Sequence, residues 1–150
     1  MLSQKAKYAL RALLVLAEEC DDKPLLIADI ADRHKLPRKF LEQILLDLKH
    51  HGLVQSRRGR SGGYSLLKPA SEISFGQVVR IIDGPLAPLP CLSRMAYRRC
   101  EDCAGEESCA IRRVFALTHQ VTTTVLDRTT LADALREAPL EAGFTRPAVA

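Results

Sequence analysis

Four of the five cysteines of this chain lie close together, in the stretch CLSRMAYRRCEDCAGEESC. They are Cys91, Cys100, Cys103 and Cys109, and eight, two and five residues separate them in turn. Thiolates are the ligands that iron-sulfur clusters, zinc and Cu(I) prefer. The stretch lacks the two CxxC pairs typical of a zinc site, whereas an iron-sulfur cluster accepts nitrogen or carboxylate in place of some sulfur ligands. The residues alone leave open a cluster, a zinc site, a thiol-only redox switch or chance.

The composition favours metal or redox chemistry over structural disulfides. The 150 residues, 47% of them hydrophobic, suffice for one domain, or for a small domain with an extension. No stretch approaches the roughly 20 apolar residues that span a bilayer, and the segment MLSQKAKYALRALLVLAEEC carries charges inside its apolar run and no cleavage signal behind it. We therefore expect a cytoplasmic protein with no membrane partner. Thiols are kept reduced there, and five cysteines cannot all pair.

The positive charge of the chain is unevenly placed. Residues 1–70 carry 13 Lys and Arg against 8 Asp and Glu, whereas residues 71–150 carry 9 against 10. Between Arg33 and Arg60 there are eight basic residues and two acidic ones. Such a concentration suits a polyanion, because each phosphate neutralised by Lys or Arg releases counterions. An ordinary solvated face explains the charge equally well, so the pattern of elements has to decide between them.

That pattern predicts a helix-turn-helix in the first half. SQKAKYALRALLVLAEE is amphipathic at helical spacing, and LLIADIADRH predicts a short second helix that ends near Lys35. Pro37 fits the first residue of a third helix, PRKFLEQILLDLKHH, which stops at Gly52. Its expected buried residues are Phe40, Leu41, Ile44, Leu45 and Leu48. Its exposed residues, Arg38, Lys39, Glu42, Gln43 and Lys49, suit base edges or phosphates in a major groove.

A basic β-hairpin, or wing, is predicted directly after the third helix. Two short runs, Leu53 to Arg57 and Tyr64 to Leu67, flank RGRSGG, whose glycines allow positive φ at a hairpin tip. Arg57, Arg58 and Arg60 crowd one side of that tip. Because arginine is well suited to a narrow minor groove, the tip is a candidate DNA contact beside the third helix. A plain turn explains the glycines alone, and Tyr64 is expected in the core.

The second half predicts a linker and a long helix. SEISFGQVVRIID reads as a helix capped by Ser74 that buries Val78, Val79, Ile81 and Ile82, and GPLAPLP then ends it. After the cysteines, apolar residues recur at helical spacing over about 20 residues, or roughly 30 Å. So long a helix has little to pack on in one chain, so its copy in a second subunit is the expected partner, although folding back on the first helix is an alternative. A short helix capped by Thr129 or Thr130 follows.

These elements predict a mainly α-helical fold with a small β-wing: a winged helix-turn-helix plus a long C-terminal dimerisation helix. The expected divisions are the winged domain at residues 1–84, the linker and cysteine loop at 85–107, the dimerisation helix and short terminal helix at 108–137, and a flexible tail at 138–150.

Three segments together resemble the Rrf-two family of bacterial winged-helix regulators. They are KYALRALLVLA, LEQILLDLKHHGLVQSRRGRSGGYSLLKPASEISFGQVVRIIDG, and the cysteines that precede a long helix. The resemblance spans about residues 1–137 and is most specific in the third helix and wing. It implies a homodimeric transcription factor that recognises a roughly palindromic operator in double-stranded DNA.

The resemblance also implies roles for particular residues. IscR-like members use a Glu of the third helix for a base contact and an Arg of the wing for the minor groove, which correspond to Glu42 and Arg58. The candidate DNA-binding residues are Tyr8, Arg38, Lys39, Glu42, Gln43, Arg57, Arg58 and Arg60. IscR-like members hold a 2Fe-2S or 4Fe-4S cluster with three cysteines and a further, non-cysteine ligand. By position these cysteines correspond to Cys91, Cys103 and Cys109.

The chain departs from that family pattern at two points. The gap from Cys91 to Cys103 is longer and contains Cys100, which is either a fourth ligand or a replacement for Cys91. Where IscR has a histidine three residues beyond the last cysteine, this chain has Arg112. The resemblance therefore implies an iron-sulfur cluster whose type and ligand set stay open.

An enzyme is the competing class of function, and the sequence does not favour it. The chain has no HExxH motif, no nucleophile elbow and no Gly-rich phosphate loop after a strand. A small iron-sulfur electron carrier would leave the basic wing and third helix without a use. We expect a regulator without catalytic residues, which senses iron-sulfur status, redox state or nitric oxide.

Overall fold

The structure is a computed structural model, and it describes residues 2–19, 23–59 and 61–136. Arg60 and the predicted tail at 138–150 lie outside the described residues. The described part of the chain contains six α-helices and one two-stranded sheet. The elements are α1 (Gln4–Glu18), α2 (Ile27–His34), α3 (Arg38–His50), β1 (Val54–Arg57), β2 (Gly63–Leu66), α4 (Phe75–Asp83), α5 (Ala110–Arg128) and α6 (Leu131–Leu135). The predicted winged-helix fold class with a long C-terminal helix is confirmed.

Helices α1 to α4 and β1 enclose the hydrophobic core. The largest side chains that are fully buried there include Leu13, Ile30, Leu41, Ile44, Leu45, Leu48, Leu53, Ile73 and Val78. Four of the five residues expected to be buried on the third helix are buried. The prediction for Phe40 is wrong, since its side chain is 40% exposed. Its ring meets that of Tyr8 edge-on, with centroids 5.8 Å apart. Phe40 therefore covers the side of α1 at the margin of the core.

Two of the predicted helix caps are confirmed and one boundary is wrong. Ser74 accepts a hydrogen bond from the backbone N–H of Gln77 at the start of α4. Thr130 and Asp133 form a reciprocal capping box at the start of α6. Pro37 is extended, with ψ of 118°, and stands before α3 as its N-cap rather than as its first helical residue.

The wing is an antiparallel pair in which Val54 lies opposite Leu66 and Arg57 opposite Gly63. Leu25 adds a bridge, because it exchanges two backbone hydrogen bonds of 2.8 Å with Tyr64. At Gly63 φ is +145°, and a Cβ atom would lie 2.4 Å from the carbonyl oxygen of Leu25. Glycine is required there, because only glycine lets the segment before α2 approach the wing so closely.

Helix α5 runs away from the core but is anchored to α4 at its C-terminal end. The N–H of Phe75 donates to the carbonyl oxygen of Thr129 at 3.0 Å, and the N–H of Leu131 donates to the carbonyl oxygen of Ile73 at 2.9 Å. The guanidinium of Arg80 also donates two hydrogen bonds, of 2.6 and 2.9 Å, to the carboxylate of Asp127. These contacts fix the direction in which α5 leaves the winged domain.

Gly76 makes room for this ion pair. A Cβ atom on Gly76 would lie 2.0 Å from Oδ1 of Asp127. The Arg80 hydrogen bonds lower the pKa of Asp127 and, reciprocally, the Asp127 hydrogen bond raises the pKa of Arg80. Both shifts favour the charged pair.

The short helix α6 returns to the core. Leu131 is 0% exposed and packs in the same cluster as the core residues of α1 and α4. Residues 131–135, which the sequence groups with the dimerisation helix, thus complete the core of the winged domain.

We expect Leu131→Ala to lower the free energy of unfolding by about 2 to 5 kcal/mol, because it leaves a cavity in the core. Chemical denaturation of the full chain measures the change. The matched control is Leu67→Ala, since Leu67 is 51% exposed and its truncation should change the free energy of unfolding by less than about 1 kcal/mol. Equal effects of the two substitutions would contradict the place given to α6.

Candidate functional site

A groove of about 440 Å³ lies between α2, α3 and the wing, and we call it the wing groove. Its lining residues include Ile27, Ala28, Arg38, Glu42, Arg57 and Gly62. Three residues predicted to bind DNA, Arg38, Glu42 and Arg57, thus meet at one concave surface although 18 residues of sequence separate the first from the last. The two guanidinium groups suit DNA phosphates, and the carboxylate of Glu42 suits a base edge that donates hydrogen bonds.

The N-terminus of α2 opens into the same groove. Leu26 occupies the N-cap position and provides no side-chain cap, and Ile27 and Ala28 line the groove. The first N–H groups of a helix have no partner within the helix and carry the positive end of its dipole. This backbone site was missed from the sequence, because an apolar N-cap gives no signature of a helix start.

The remaining candidates on α3 are exposed, and two of its polar residues are held by neighbours. Lys39 and Gln43 are exposed. The Gln43 amide donates to Asp47 at 3.1 Å, one turn further along α3. Lys49 donates to Ser56 of β1 at 2.7 Å, which ties the end of α3 to the wing.

Asp47 connects α3 to α1. It accepts a hydrogen bond of 2.7 Å from the ammonium of Lys5, in an ion pair whose side chains are about one third exposed or less. That hydrogen bond lowers the pKa of Asp47, and the Gln43 amide adds to the effect. The orientation of α3 in the domain thus rests partly on a charged contact.

The wing tip presents Arg57 and Arg58, both exposed. The turn closes with a hydrogen bond of 3.0 Å from the N–H of Gly62 to the carbonyl of Gly59, where φ is +108°. Tyr8 does not share this surface, since it lies half-buried on α1 against Phe40 and the core and does not line the wing groove.

The four cysteines beyond α4 are free thiols in different surroundings. Cys91 is buried in a 3-10 turn, Pro90–Leu92, whereas Cys100 is exposed. Cys103 and Cys109 are half-buried. Reduced hydration and the neighbouring Cys91 and Cys103 raise the pKa of the Cys100 thiol. Three thiols are therefore close enough to influence one another.

Cys109 has a separate structural role. It is the N-cap of α5, and its Sγ accepts a hydrogen bond of 3.4 Å from the backbone N–H of Arg112. A helix N-terminus stabilises a thiolate. Across residues 2–19, 23–59 and 61–136, no three His, Cys, Asp or Glu side chains are arranged to hold a metal ion. The thiols thus fit an iron-sulfur cluster or zinc in their chemistry, and binding would require the segment to bring them closer together.

Polar contacts order the rest of the cysteine segment. The Tyr97 hydroxyl donates to Glu106 at 2.5 Å, which raises the pKa of Tyr97. Arg112 lies 3.5 Å from the same carboxylate, and Arg99 donates to the carbonyl of Cys103 at 3.0 Å. Arg112, where the resemblance places a histidine ligand, is therefore a partner of Glu106.

No helix in the described part of the chain is both long and apolar enough to cross a membrane. A winged helix with arginines on the third helix and the wing defines the class of protein as a DNA-binding regulator. The family model for Rrf2, described as an iron-dependent transcriptional regulator, matches residues 2–137. The chain belongs to the Rrf2 family.

Relatives of known sequence agree with this assignment. The chain is 54% identical over 138 residues to an rrf2-like HTH-type transcriptional regulator of Rhodobacter capsulatus, and the match covers 90% of this chain and 92% of that protein. It is 35% identical over 129 residues to the HTH-type transcriptional regulator IscR of Pectobacterium carotovorum, covering 86% of this chain and 71% of IscR.

Solved structures show the same fold. The structure of CymR, the global cysteine regulator of B. subtilis, matches with a TM-score of 0.75 and 30% identity over 89% of this chain and 95% of CymR. IscR of T. potens matches with a TM-score of 0.70 and 28% identity, covering 93% of this chain and 88% of that one. This chain is thus an IscR-like transcriptional regulator of the helix-turn-helix type.

We expect Asp47→Asn to lower the free energy of unfolding by about 1 kcal/mol at neutral pH, because the ion pair with Lys5 is lost. A depressed pKa contributes stability above the unfolded value of 3.8, and the contribution disappears as the pH falls through the lower folded value. The difference between the two proteins should therefore be constant at neutral pH and shrink below pH 3.8.

Denaturation of both proteins at a series of pH values measures this difference. Asp32→Asn on the exposed surface of α2 is the matched control. A difference for Asp47→Asn that persists unchanged in acid would contradict the charged contact.

Proposed function

We propose that this regulator binds a roughly palindromic operator as a homodimeric repressor and adjusts its DNA affinity through a cysteine-ligated iron-sulfur cluster. The observation that carries the proposal is the wing groove, where Arg38, Glu42 and Arg57 meet the N-terminus of α2. The groove combines phosphate-binding and base-reading groups on one surface.

The N-terminal half of α3 is the part that would enter the major groove. Arg38, Lys39, Glu42 and Gln43 all lie within its first two turns and are exposed. Arg38 and Lys39 suit phosphates or guanine, and Glu42 accepts a hydrogen bond from the exocyclic amine of cytosine. The free N–H groups at the start of α2 would hold a backbone phosphate beside them.

The wing tip would reach an adjacent minor groove. Arg58 stands at the exposed turn beside Gly59, and the bridge between Leu25 and Tyr64 holds the wing near its tip against the segment before α2. A narrow minor groove concentrates negative potential and attracts arginine. Arg60 belongs to the same proposed contact by its place in the sequence.

The homodimer is supported by the apolar surface of α5. All residues of this helix are described, none is buried, and six of its large apolar side chains are 39% to 64% exposed. They are Ile111, Val114, Phe115, Leu117, Val121 and Val125. A 19-residue helix is about 28 Å long, enough to pair with a second copy about a two-fold axis. The two α3 helices would then address half-sites about 34 Å apart.

We expect Arg58→Ala to weaken binding to the operator by about 1 to 3 kcal/mol, or roughly 5- to 150-fold. The operator is first obtained by selection from random duplexes with the wild-type protein, and affinity is measured by fluorescence anisotropy at fixed salt. Arg136→Ala is the matched control, because Arg136 is exposed and lies on α6's C-terminal cap.

An unchanged affinity for Arg58→Ala would remove the wing from the interface. Sedimentation of the selected complex should give two chains per duplex, and the selected site should be a two-fold repeat. One chain on an asymmetric site would contradict the homodimer.

The sensing proposal rests on the four thiols between α4 and α5. Cys103 and Cys109, with Cys91, Cys100 or both, would hold a 2Fe-2S or 4Fe-4S cluster. The bound cluster supplies a link within the segment that depends on iron, oxidants and nitric oxide. The family's iron-dependent description and the IscR relatives support this choice among thiolate-binding groups.

The position of Cys109 connects the cysteine segment to DNA binding. Its Sγ caps α5, and the other end of α5 is fixed to α4 by Arg80 and Asp127. A shift of Cys109 therefore changes the first turn of the proposed dimerisation helix. Because α5 would set the spacing and tilt of the two winged domains, that shift would be coupled to operator affinity.

We expect protein purified without oxygen to absorb visible light and to contain iron and acid-labile sulfide in stoichiometric amounts. Cys103→Ala should lose the absorbance, the iron and the signal-dependent change in DNA affinity, because a ligand is missing. The matched control is substitution of the fifth cysteine, Cys20→Ala, which should retain all three. Retention of iron and of the signal response in Cys103→Ala would reject the cluster assignment.

A thiol switch is the second candidate, favoured by the proximity of Cys91 to Cys100, since Cys91 is among the groups that raise the pKa of the Cys100 thiol. A hydroperoxide would oxidise the exposed Cys100 thiol to a sulfenic acid and release an alcohol or water. The Cys91 thiol would then form a disulfide with it and release a second molecule of water. The structure of an oxidised form of Staphylococcus aureus CymR matches this chain with a TM-score of 0.72 and 27% identity.

The same purified protein distinguishes the candidates. A colourless protein without zinc that loses two thiols on treatment with hydrogen peroxide would favour the switch. Stoichiometric zinc in place of iron and sulfide would favour a zinc-bearing regulator.

A further inference from the structure

A second cavity, of about 570 Å³, lies between α4, the linker and α5 on the side away from the wing. We call it the linker cavity. The end of α4 and the linker form one wall, the turn that follows Cys91 forms another, and α5 forms the third. Its volume falls within the range of small-molecule sites, about 300 to 1,000 Å³. It shares no lining residue with the wing groove and contains none of the four cysteines.

His119 of α5 lines this cavity and has an unpaired nitrogen. Its Nδ1 atom has almost no contact with solvent and no hydrogen-bond partner within the described residues. Buried polar atoms in folded proteins are nearly always paired, because leaving one without a partner costs about 1 to 3 kcal/mol. A small rotation of the imidazole would turn this atom toward the cavity, where a bound molecule would provide the partner.

The groups facing the cavity have an excess of positive charge. The titratable ones are Arg80, Arg94, His119 and Asp127. Both oxygens of Asp127 already accept hydrogen bonds from Arg80. A guanidinium has five N–H donors, so three donors of Arg80 remain after this contact. Arg94 is exposed, and the carboxylate that lines the cavity, Asp127, is already held by Arg80. Donors thus outnumber acceptors, which selects an anion.

The rest of the lining is mixed: Ser93, Gln120 and Thr123 are polar, and the other residues are apolar. Leu86, Leu92, Met95 and Ala116 come from three different segments and face the same space. Met95 is 82% exposed, so the cavity is open to solvent beside it. A ligand with a charged end and a short hydrocarbon body would match both parts of the lining.

We propose that the linker cavity binds a small organic monocarboxylate with an aliphatic body. Its carboxylate accepts hydrogen bonds from His119 and from the open edge of Arg80, with Arg94 at the mouth. Its hydrocarbon part packs on the apolar wall. Because the ligand contacts α4, α5 and the linker at once, its binding stabilises one arrangement of α5 against the winged domain. The site is a second input to the regulator, independent of the thiols.

The test is isothermal titration calorimetry on the full chain, without DNA, using acetate, butyrate and hexanoate. Affinity should rise with length by roughly fourfold for each CH₂ buried. Butylamine and hexylamine have similar shapes and the opposite charge, and they should not bind. These measurements do not depend on operator binding or on the thiols, so the proposal stands or falls separately from the function proposed above.

Two variants locate the site. His119→Ala and Arg94→Ala should each weaken hexanoate binding by about tenfold, because each removes a charge-assisted hydrogen bond. Arg94 is exposed, so its substitution leaves the fold intact even if that of His119 does not. Arg136→Ala is the matched control and should bind as the wild type does. Absence of binding by all three carboxylates, equal binding of the amines, or unchanged affinity in Arg94→Ala would overturn the proposal.

Discussion

The ion pair between Arg80 and Asp127 joins the two parts of this molecule. Helix α5 has no buried residue, so hydrophobic packing within the chain contributes little to its position. A two-pronged, charge-assisted contact and two backbone hydrogen bonds beside it hold the C-terminal end of α5 on α4 instead. Gly76 is required for this, since any side chain there would occupy the place of the carboxylate.

The two ends of α5 are constrained to different degrees. The C-terminal end is held by directional bonds and cannot rotate without breaking them. The N-terminal end depends on one sulfur cap at Cys109 and on the contact between Arg112 and Glu106. In the proposed sensing mechanism, a chemical change among the thiols would act at the less constrained end of α5, and the more firmly held end would carry its effect to the winged domain. Helix α5 would thus move about the contact that its C-terminal end makes with α4.

The elements of the fold were predictable where a periodic pattern specifies them. The amphipathic repeats of α1 and α3 and the glycines between two short runs were sufficient for the winged helix. Phe40 was assigned to the core because it continues the apolar stripe of α3, yet it lies at the edge of that stripe against Tyr8. The place of α6 was not predictable, because a five-residue helix has too little pattern to show which distant surface covers it.

The candidate site was predictable in its residue types but not in its geometry. Arginine and glutamate on α3 and arginine on the wing indicated nucleic acid, while their meeting in one groove depends on the close approach of Leu25 to Gly63. The N-terminus of α2 contributes backbone groups, which leave no mark on side-chain composition. For the thiols, spacing gives the donors, but it does not show that Cys109 serves as the N-cap of α5.

The burial of Leu131 has a consequence for the order in which the protein is made. The core of the winged domain is built mainly from residues before 84, yet it is completed by a side chain that the ribosome adds much later. A nascent chain that has exposed the recognition helix and wing still has an unfilled space between α1 and α4. Domains fold as units once their core is complete. The DNA-binding surface therefore reaches its full stability only after the cysteine segment and α5 have been synthesised.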